Sequence, residues 1–525
     1  MKRAFTYLVF LLIISGVYAG PKLAVNIVIS GMRAEEMDRF SQNFQQSGFR
    51  RVMEGGLQYK ECYLDFAPTL TTTALVSLLS GCDPSAHEIV SQTWYLRTTN
   101  IPQTLFHAQQ GQTKGRKALA NGISDLYSNN EFVAQTLSDI VMQSAGGDVT
   151  SIALDPLSAI SMAGKTRNCF WLAQNGTWES AECFSKELPS WVTAYNAVGF
   201  NKLYALGMWF SKFETKKYFN HTISTVKMRD TDSDAKVVKQ TKQNRNWVDE
   251  LLYTPAGNAA TIDFAKKAIE EMLSSKDKGV KMLNLCLDTS RHIIERYGNH
   301  SIEYEDMIYD LDERIAEFLS FLDQKVGLDK YVLTLTSDHG SSPSMEGKLA
   351  EHFDTSKASI ILNAFLSAQH GQDDWILGIN SGSVYFNRNT IYNHKLSLET
   401  IQNEVAAYML QLRGVSYTIP ATSMLSGTFL KGPARILQNG YSQVRSGDVL
   451  YALRSGVLES DGALSASGSI YIYDRHVPLL LYGTGCKPSK ISRRVYTTMI
   501  APTLSYILAL EYPSSSEAIS LEEIK

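Results

Sequence analysis

The chain has 525 residues and the composition of an ordinary globular protein, with 44% hydrophobic and 20% charged residues. Its formal net charge of -3 at pH 7 provides no basic surface, so neither nucleic acid nor an anionic membrane is expected as a partner. No internal repeat or low-complexity stretch divides the chain, and its length is compatible with one large domain.

The N-terminus has the pattern of a secretory signal. Lys2 and Arg3 precede an apolar run at 7–14, and a small-residue cleavage pattern follows. The apolar run is too short to cross about 30 Å of hydrocarbon, and no later segment is apolar enough for a membrane helix. We therefore expect residues 1–19 to be a signal peptide, 20–525 to be the mature domain, and the protein to be periplasmic or extracellular.

Six cysteines would then occupy an oxidising compartment, where disulfides are permitted. The dipeptide Asn175-Gly176 predicts a tight hairpin turn. Such a turn would place Cys169 and Cys183 nearly opposite each other on the two arms. A disulfide between them and a pair of buried free thiols are both compatible with the sequence.

Apolar strands alternate with amphipathic helices along the chain. Residues 22–30 form an apolar, β-branched run typical of a buried parallel strand, and 35–54 has the pattern of a helix. The strand pattern returns at 282–287 and 331–336, and the apolar residues between these two runs fall at helical spacing. The sequence therefore predicts an α/β fold with a mostly parallel central sheet and helices on both faces.

The stretch at about 165–253 differs, because it lacks clean alternation and places several tryptophans among polar residues. We predict that it is a cap-like insertion packed on the sheet domain, where it could form one wall of a cleft. Large aromatic side chains usually bury, so we interpret them as the small core of the insertion rather than a ligand platform. The tryptophans are Trp171, Trp178, Trp191, Trp209 and Trp247.

Two acid–histidine pairs follow predicted strands, where the active sites of parallel sheets gather. Asp288 and His292 are four residues apart, so one helical turn would place both on one face as metal ligands. Asp338 and His339 directly follow another strand and precede Gly340, where a sharp turn can point both side chains inward. Two such pairs resemble a two-metal site.

A series of short motifs also occurs in a recognisable order. These are residues 27–33 (IVISGMR), 67–71 (APTLT), 80–81 (SG), 253–258 (YTPAGN), 263–265 (DFA), 288–292 (DTSRH), 337–340 (SDHG), 473–478 (YDRHVP) and 500–504 (IAPTL). In this order they resemble the alkaline phosphatase superfamily, in particular the PafA-like periplasmic alkaline phosphatases with a threonine nucleophile. Their relatives are the nucleotide pyrophosphatases/phosphodiesterases.

The resemblance implies a hydrolytic site with two zinc ions a few ångströms apart. Thr71 would be the nucleophile, and Asp288, His292, Asp338 and His339 would be zinc ligands. A zinc ion favours the alkoxide of such a hydroxyl, and a metal pair stabilises the entering and leaving oxygens of a phosphate ester. The alternative for Thr71 is a hydroxyl that caps a helix.

Several positions depart from the pattern that the resemblance implies. Ser30 stands where the family carries a ligand Asp, and Ser467 where it carries a late His. A neutral hydroxyl is a poor replacement, because catalytic zinc normally needs three protein ligands. On the phosphate side, Gln92 stands for an Asn, while Asp155 and Leu157 fall near the positions of a phosphate-binding Lys and Arg. An acidic residue there would repel phosphate.

Two functional hypotheses follow. The first is a pseudophosphatase with a binding or assembly role, and with a protein partner in the periplasm. The second is an active metal-dependent phosphomonoesterase or phosphodiesterase that uses Thr71 with altered metal sites. Zinc is the cofactor that the resemblance implies, with one ion or none bound. His476 or His352 could rescue a metal site, but an unassigned histidine is more often a hydrogen-bonded structural residue. The joint loss of ligands and cations favours the first hypothesis.

Overall fold

The computed structural model describes residues 20–107, 122–205, 209–220, 247–344, 351–459 and 463–524. The predicted signal peptide and part of the predicted insertion therefore lie outside the described residues. Among the described helices, none has both the length and the apolar character that a bilayer crossing requires.

Strands of the described part form one large sheet and three small ones. In chain order they are β1 Leu23–Ile29, β2 Leu57–Tyr63, β3 Thr93–Tyr95, β4 Pro102–Thr104, β5 Ile123–Ser124, β6 Asp148–Ile152, β7 Asn168–Leu172, β8 Trp178–Ala181, β9 Lys281–Leu287, β10 Tyr331–Thr336, β11 Glu351–His352, β12 Ile376–Asn380, β13 Ser383–Phe386, β14 Val415–Pro420, β15 Val449–Leu453, β16 Val457–Leu458, β17 His476–Gly483 and β18 Ser489–Tyr496.

The large sheet has the strand order β18-β2-β17-β10-β1-β9-β6-β7-β8-β5. The central strands β10, β1, β9, β6 and β7 are parallel, whereas β17 runs antiparallel to both of its neighbours. In register, Ile29 of β1 lies beside Leu287 of β9, and Val28 lies beside Thr336 of β10. The three strands therefore end level, and the residues that follow them meet at one edge. The predicted mostly parallel sheet is confirmed.

Helices cover both faces of this sheet. Alternate side chains of β1 enter two separate apolar clusters, with Val25 and Ile27 in one and Ala24 and Val28 in the other. The α-helices are Ala34–Arg39, Phe49–Gly55, Thr71–Ser80, Pro84–His87, Leu137–Gln143, Pro156–Ala163, Ser190–Val198, Phe200–Ala205, Trp247–Tyr253, Ala256–Ser274, Thr289–Tyr297, Ile302–Lys325, Thr355–His370, Arg388–Asn393, Leu398–Met409, Ala421–Leu425, Gly432–Asn439, Ile472–Arg475 and Ile500–Ile507. Short 3₁₀ helices occupy Ser41–Asn43, Thr215–Lys217 and Thr497–Met499.

The single helix predicted at 35–54 is wrong, because the structure divides this stretch into Ala34–Arg39, Ser41–Asn43 and Phe49–Gly55. The carboxylate of Asp312 accepts hydrogen bonds from the backbone N–H groups of Gln45 and Phe49, at 2.6 Å each. These bonds bind the connecting loop to a distant helix, so the chain turns here instead of continuing the helix.

The predicted hairpin at Asn175-Gly176 is confirmed, because β7 and β8 pair antiparallel around it. Both strands belong to the large sheet, and Trp178 of β8 is fully buried and stacks on Phe264 with 4.2 Å between ring centroids. The cysteines are free thiols, with Cys169 buried and Cys183 exposed. The boundaries of the insertion remain a prediction.

A four-stranded antiparallel sheet, in the order β12-β13-β15-β14, lies in the C-terminal third of the chain. The helices Thr355–His370 and Leu398–Met409 pack on it, and together they enclose a separate apolar cluster around Trp375, Val405 and Val449. The sequence analysis did not predict this second sheet.

Candidate active site at the carboxyl edge of the sheet

Thr71 is the first residue of the helix Thr71–Ser80 and is 8% exposed. Its hydroxyl oxygen lies 3.0 Å from Nε2 of His339. The other ring nitrogen of His339, Nδ1, lies 2.7 Å from the carbonyl oxygen of Gly340, which can only accept, so this nitrogen carries the hydrogen. In the neutral ring, Nε2 then accepts the hydroxyl hydrogen of Thr71.

Asp338 lies next to this pair and is almost completely buried. Its Oδ2 accepts a hydrogen bond from the Ser30 hydroxyl at 2.7 Å and lies 3.3 Å from His339 Nε2. Its Oδ1 accepts from the backbone N–H groups of Gly31 at 3.0 Å and His339 at 2.8 Å. Both carboxylate oxygens are therefore bound by donors of the chain itself, and Ser30 acts as one of these donors.

Asp288 directly follows β9 and is the N-cap residue of the helix Thr289–Tyr297, where it is fully buried and its side chain makes no capping hydrogen bond. Its Oδ2 accepts hydrogen bonds from the backbone N–H groups of Leu154 and Asp155, at 3.0 Å each. Its Oδ1 accepts from the hydroxyl of Ser158 at 2.8 Å. Burial raises the pKa of the Asp288 carboxyl above its ordinary value. This carboxylate is also bound by groups of the protein.

Arg291 brings a positive charge to the same place, one helical turn after Asp288. Its Nη2 lies 3.8 Å from Asp288 Oδ1 and 3.5 Å from Asp155 Oδ2, and its Nη1 lies 3.6 Å from Glu295. Burial lowers the pKa of Arg291, but these three carboxylates and Asp338 raise it above its ordinary value. Asp288 and Asp338 follow the two strands that flank β1, so the Asp288 cluster and the Asp338–His339 cluster lie side by side at this edge of the sheet.

His292 lies on the same helix as Arg291. Its Nδ1 is 3.5 Å from a carboxylate oxygen of Glu295, and its ring meets Tyr253 edge to face with 5.8 Å between centroids. The predicted helical spacing of Asp288 and His292 is present, but within the described residues both side chains have protein partners.

The two histidines considered as rescue ligands have other surroundings. His476 Nε2 lies 2.7 Å from the carbonyl oxygen of Lys60, and its ring stacks on Tyr63. His352 lies in β11, beside β16. Its Nδ1 is buried and has no hydrogen-bond partner within the part of the chain that the structure describes.

Positions on the predicted phosphate side carry no free cation in the described structure. Asp155 caps the helix Pro156–Ala163, where its Oδ1 accepts from the N–H of Leu157 at 2.7 Å, and its Oδ2 faces Arg291. The side chain of Gln92 is exposed, just before β3. Asp155 therefore has structural partners, and the nearby cation is Arg291.

The loop around Ser467 reaches the turn that precedes Thr71. The N–H of Gly468 donates to the Thr69 hydroxyl at 3.0 Å, and Gly468 approaches Leu70. The structure thus brings Ser30, Thr71, Asp338 and His339 into one hydrogen-bonded chain, with the Ser467 loop beside it and the Asp288 cluster adjoining.

The residues described here do not fit a catalytic zinc site. Within the described ranges, no three His, Cys, Asp or Glu side chains are grouped so that they could hold a metal ion. A catalytic zinc ion needs three such ligands and an open position. Here Asp288 and Asp338 are instead surrounded by hydrogen-bond donors and by a guanidinium.

Sequence reasoning missed two charged residues of this edge. Arg291 lies inside the Asp288-x-x-x-His292 spacing, and the rule that residues three apart share a helix face would have found it. Asp474 is buried and accepts from the N–H of Ser469 at 2.8 Å, and its carbonyl oxygen accepts from Gly340. Burial raises the pKa of the Asp474 carboxyl to about 6, although Ser469, His339 and Arg33 oppose the shift.

A family model described as "Type I phosphodiesterase / nucleotide pyrophosphatase" matches residues 24–457. The chain belongs to this family. A relative from Myroides odoratus named "Calcium-transporting ATPase" is 26% identical over 96% of this chain and 94% of its own length. "Alkaline phosphatase PafA" from Elizabethkingia meningoseptica is 25% identical over the same shares.

The crystal structure of wild-type alkaline phosphatase PafA superposes with a TM-score of 0.85, at 24% identity, covering 97% of this chain and all of that one. This likeness establishes the PafA-like fold of the family member described here. Alkaline phosphatases of this superfamily are generally metal-dependent. The interpretation of Ser30 and Ser467 as lost ligand positions stays a prediction from the sequence.

Proposed function

We propose that this chain is a secreted member of the family in which the phosphate-ester hydrolase scaffold serves as a binding or assembly module with little or no catalytic power. It holds at most one zinc ion, and its partner is a periplasmic protein or a small phosphate ester.

The proposal rests mainly on the hydrogen bonds that the Asp288 carboxylate accepts. Its Oδ2 accepts two hydrogen bonds and its Oδ1 accepts one from donors of the same chain, and a guanidinium nitrogen lies 3.8 Å from Oδ1. A ligand carboxylate must offer a free lone pair to a zinc ion about 2.0–2.2 Å away. With Ser30 and Ser467 in place of stronger donors, a pair of metal ions lacks the ligands that two-metal catalysis requires.

The test is metal analysis of the purified mature protein together with hydrolysis of an aryl phosphate monoester and an aryl phosphate diester. We expect substoichiometric zinc and phosphate release no faster than that of the Thr71→Ala variant. Two zinc ions per chain, with turnover abolished by Thr71→Ala, would show that the proposal is wrong.

One observation favours the second candidate, an active phosphomonoesterase or phosphodiesterase. The Thr71 hydroxyl and His339 Nε2 are 3.0 Å apart, which is the distance of a nucleophile from its base. This candidate requires that Thr71→Ser keep a measurable fraction of the turnover that Thr71→Ala loses. The first candidate requires that wild type, Thr71→Ser and Thr71→Ala release phosphate at the same background rate.

The proposed compartment rests on the signal-like pattern of residues 1–19. N-terminal sequencing of the protein from the periplasmic fraction tests it. Processing before Gly20 supports the proposal, and an intact N-terminus in the cytoplasmic fraction contradicts it.

A further inference from the structure

The carboxylate of Asp288 is surrounded on three sides by neutral donors. Two backbone N–H groups approach Oδ2, a serine hydroxyl approaches Oδ1, and the thiol of Cys286 lies 3.5 Å from the same oxygen. A carboxylate has about four lone-pair positions, so few remain for a further ligand. These donors hold the carboxylate in place without a metal ion.

Arg291 supplies the charge that the neutral donors lack. Its guanidinium has carboxylate oxygens on three sides, from Asp288, Asp155 and Glu295, at 3.5–3.8 Å. Its side chain is only 19% exposed. Its Nε is buried without a hydrogen-bond partner in the described residues, so electrostatic attraction rather than a full set of hydrogen bonds keeps it there.

The backbone fixes this position. Asp288 is the N-cap residue of the helix on which Arg291 lies one turn later, so the spacing along the helix brings the two side chains together. Gly31, at the end of β1, passes close to Arg291, where a Cβ would lie 3.6 Å from the Arg291 Cα. The backbone of Arg291 therefore lies at the same edge of the sheet as Ser30 and Asp338.

We infer that the Arg291 guanidinium is an internal cation that takes the place of a metal ion at Asp288. It prevents divalent ions from binding to the Asp288 carboxylate. An ion bound to Asp288 would share that carboxylate with a like charge 3.8 Å away, in a partly desolvated pocket. Divalent binding, if any, is then confined to Asp338 and His339. This role rests on the donor geometry and not on the proposed function.

The test compares Arg291→Gln, Arg291→Lys and wild type by equilibrium dialysis against zinc followed by elemental analysis. Arg291→Gln releases the carboxylates of Asp155, Asp288 and Glu295, which surround the guanidinium, so we expect this variant to bind one zinc ion per chain more than wild type. Arg291→Lys, which keeps the charge, should bind no more. The additional ion should disappear in Arg291→Gln/Asp288→Asn. Arg296→Gln is the matched control, because it removes an arginine of the same helix that lies over the Tyr253 ring instead.

Thermal unfolding provides a second measurement if Arg291→Gln folds poorly. Removal of the cation alone leaves the buried Asp288 carboxylate unpaired and should lower the melting temperature by several degrees. Adding Asp288→Asn should restore part of that loss, and zinc should restore it in the single variant. The extra ion, or recovery of the melting temperature of Arg291→Gln by zinc, supports the inference.

Two results would overturn it. One is zinc in the wild-type protein that Asp288→Asn removes. The other is a folded Arg291→Gln variant that gains no zinc and whose melting temperature zinc does not restore. If zinc binds only through Asp338 and His339 and the protein hydrolyses phosphate esters, the proposed function is wrong. The exclusion of divalent ions from Asp288 would still be supported.

Discussion

The Ser30 hydroxyl donates a hydrogen bond to Asp338 Oδ2 over 2.7 Å, at the ends of two adjacent strands of the central sheet. This bond satisfies a buried carboxylate with a neutral donor from the neighbouring strand. A metal ion would have to displace the hydroxyl hydrogen from this oxygen. The present donor set is therefore suited to a structure that is stable without a divalent ion at this point.

Ser30→Asp should place two buried carboxylates side by side, and they will repel each other unless one is protonated or a cation joins them. We expect a lower melting temperature in the presence of EDTA and a recovery with zinc. Ser30→Ala, which removes one hydrogen bond at about 1 kcal/mol, should show no zinc response. Equal zinc responses in both variants, measured by differential scanning fluorimetry, would contradict this prediction.

Thr71→Val should destabilise the protein because it removes the donor to His339 while keeping the side-chain shape. The expected loss is about 0.5–1.5 kcal/mol in urea-unfolding free energy, with an additional loss for the buried ring nitrogen left unsatisfied. Thr72→Val is the control on the same helix, because the Thr72 hydroxyl is buried without a partner among the described residues. Its substitution should be neutral or stabilising. Equal losses for the two variants would argue against the Thr71–His339 bond.

Glu36 should make stability depend on pH. Burial raises its pKa from 4.5 to about 7, although Arg33 and the Tyr304 hydroxyl oppose the shift. The folded state then keeps the proton longer than the unfolded chain. The stability that this retained proton contributes is fully present below pH 4.5 and is lost as the pH rises through about 7. Glu36→Gln cannot ionise and should be more stable than wild type by roughly 2–3 kcal/mol at pH 8.

The check is urea unfolding of both proteins between pH 5 and 8, where the difference should shrink toward the acidic end. Glu35→Gln removes the same charge from the same helix at a side chain that is 61% exposed. It should leave the pH slope unchanged. A slope that persists in Glu36→Gln would refute the assignment.

Asp306 should hold the described segment 209–220 onto the helix Ile302–Lys325. Its carboxylate accepts from Trp209 Nε1 and from the backbone N–H of Lys212, at 2.6 Å each, and from the Tyr218 hydroxyl. Asp306→Ala leaves these donors unpaired at about 1–3 kcal/mol each. Amide hydrogen exchange in this segment should rise about tenfold or more. Glu317→Ala, at a half-exposed position of the same helix, should leave the exchange rates unchanged.

The elements that depend on local pattern could be predicted from the sequence. The apolar runs before Ser30, Asp288 and Asp338 form the parallel strands β1, β9 and β10, because side chains buried on both faces require nearly continuous apolar sequence. Asn175-Gly176 forms the expected hairpin, because its backbone adopts the turn without steric cost. The family resemblance added Thr71, which the fold places against His339.

Only the tertiary structure decided how the charges of the site are paired. Arg291 belongs to a motif in which the sequence suggested only metal ligands, and its partner Asp155 lies 136 residues away in the chain. Asp312 interrupts the helix predicted at 35–54 from a distance of 263 residues. Hydrophobic periodicity records which face of an element is buried, but the free energy of a buried charge depends on the donors and charges that folding brings around it.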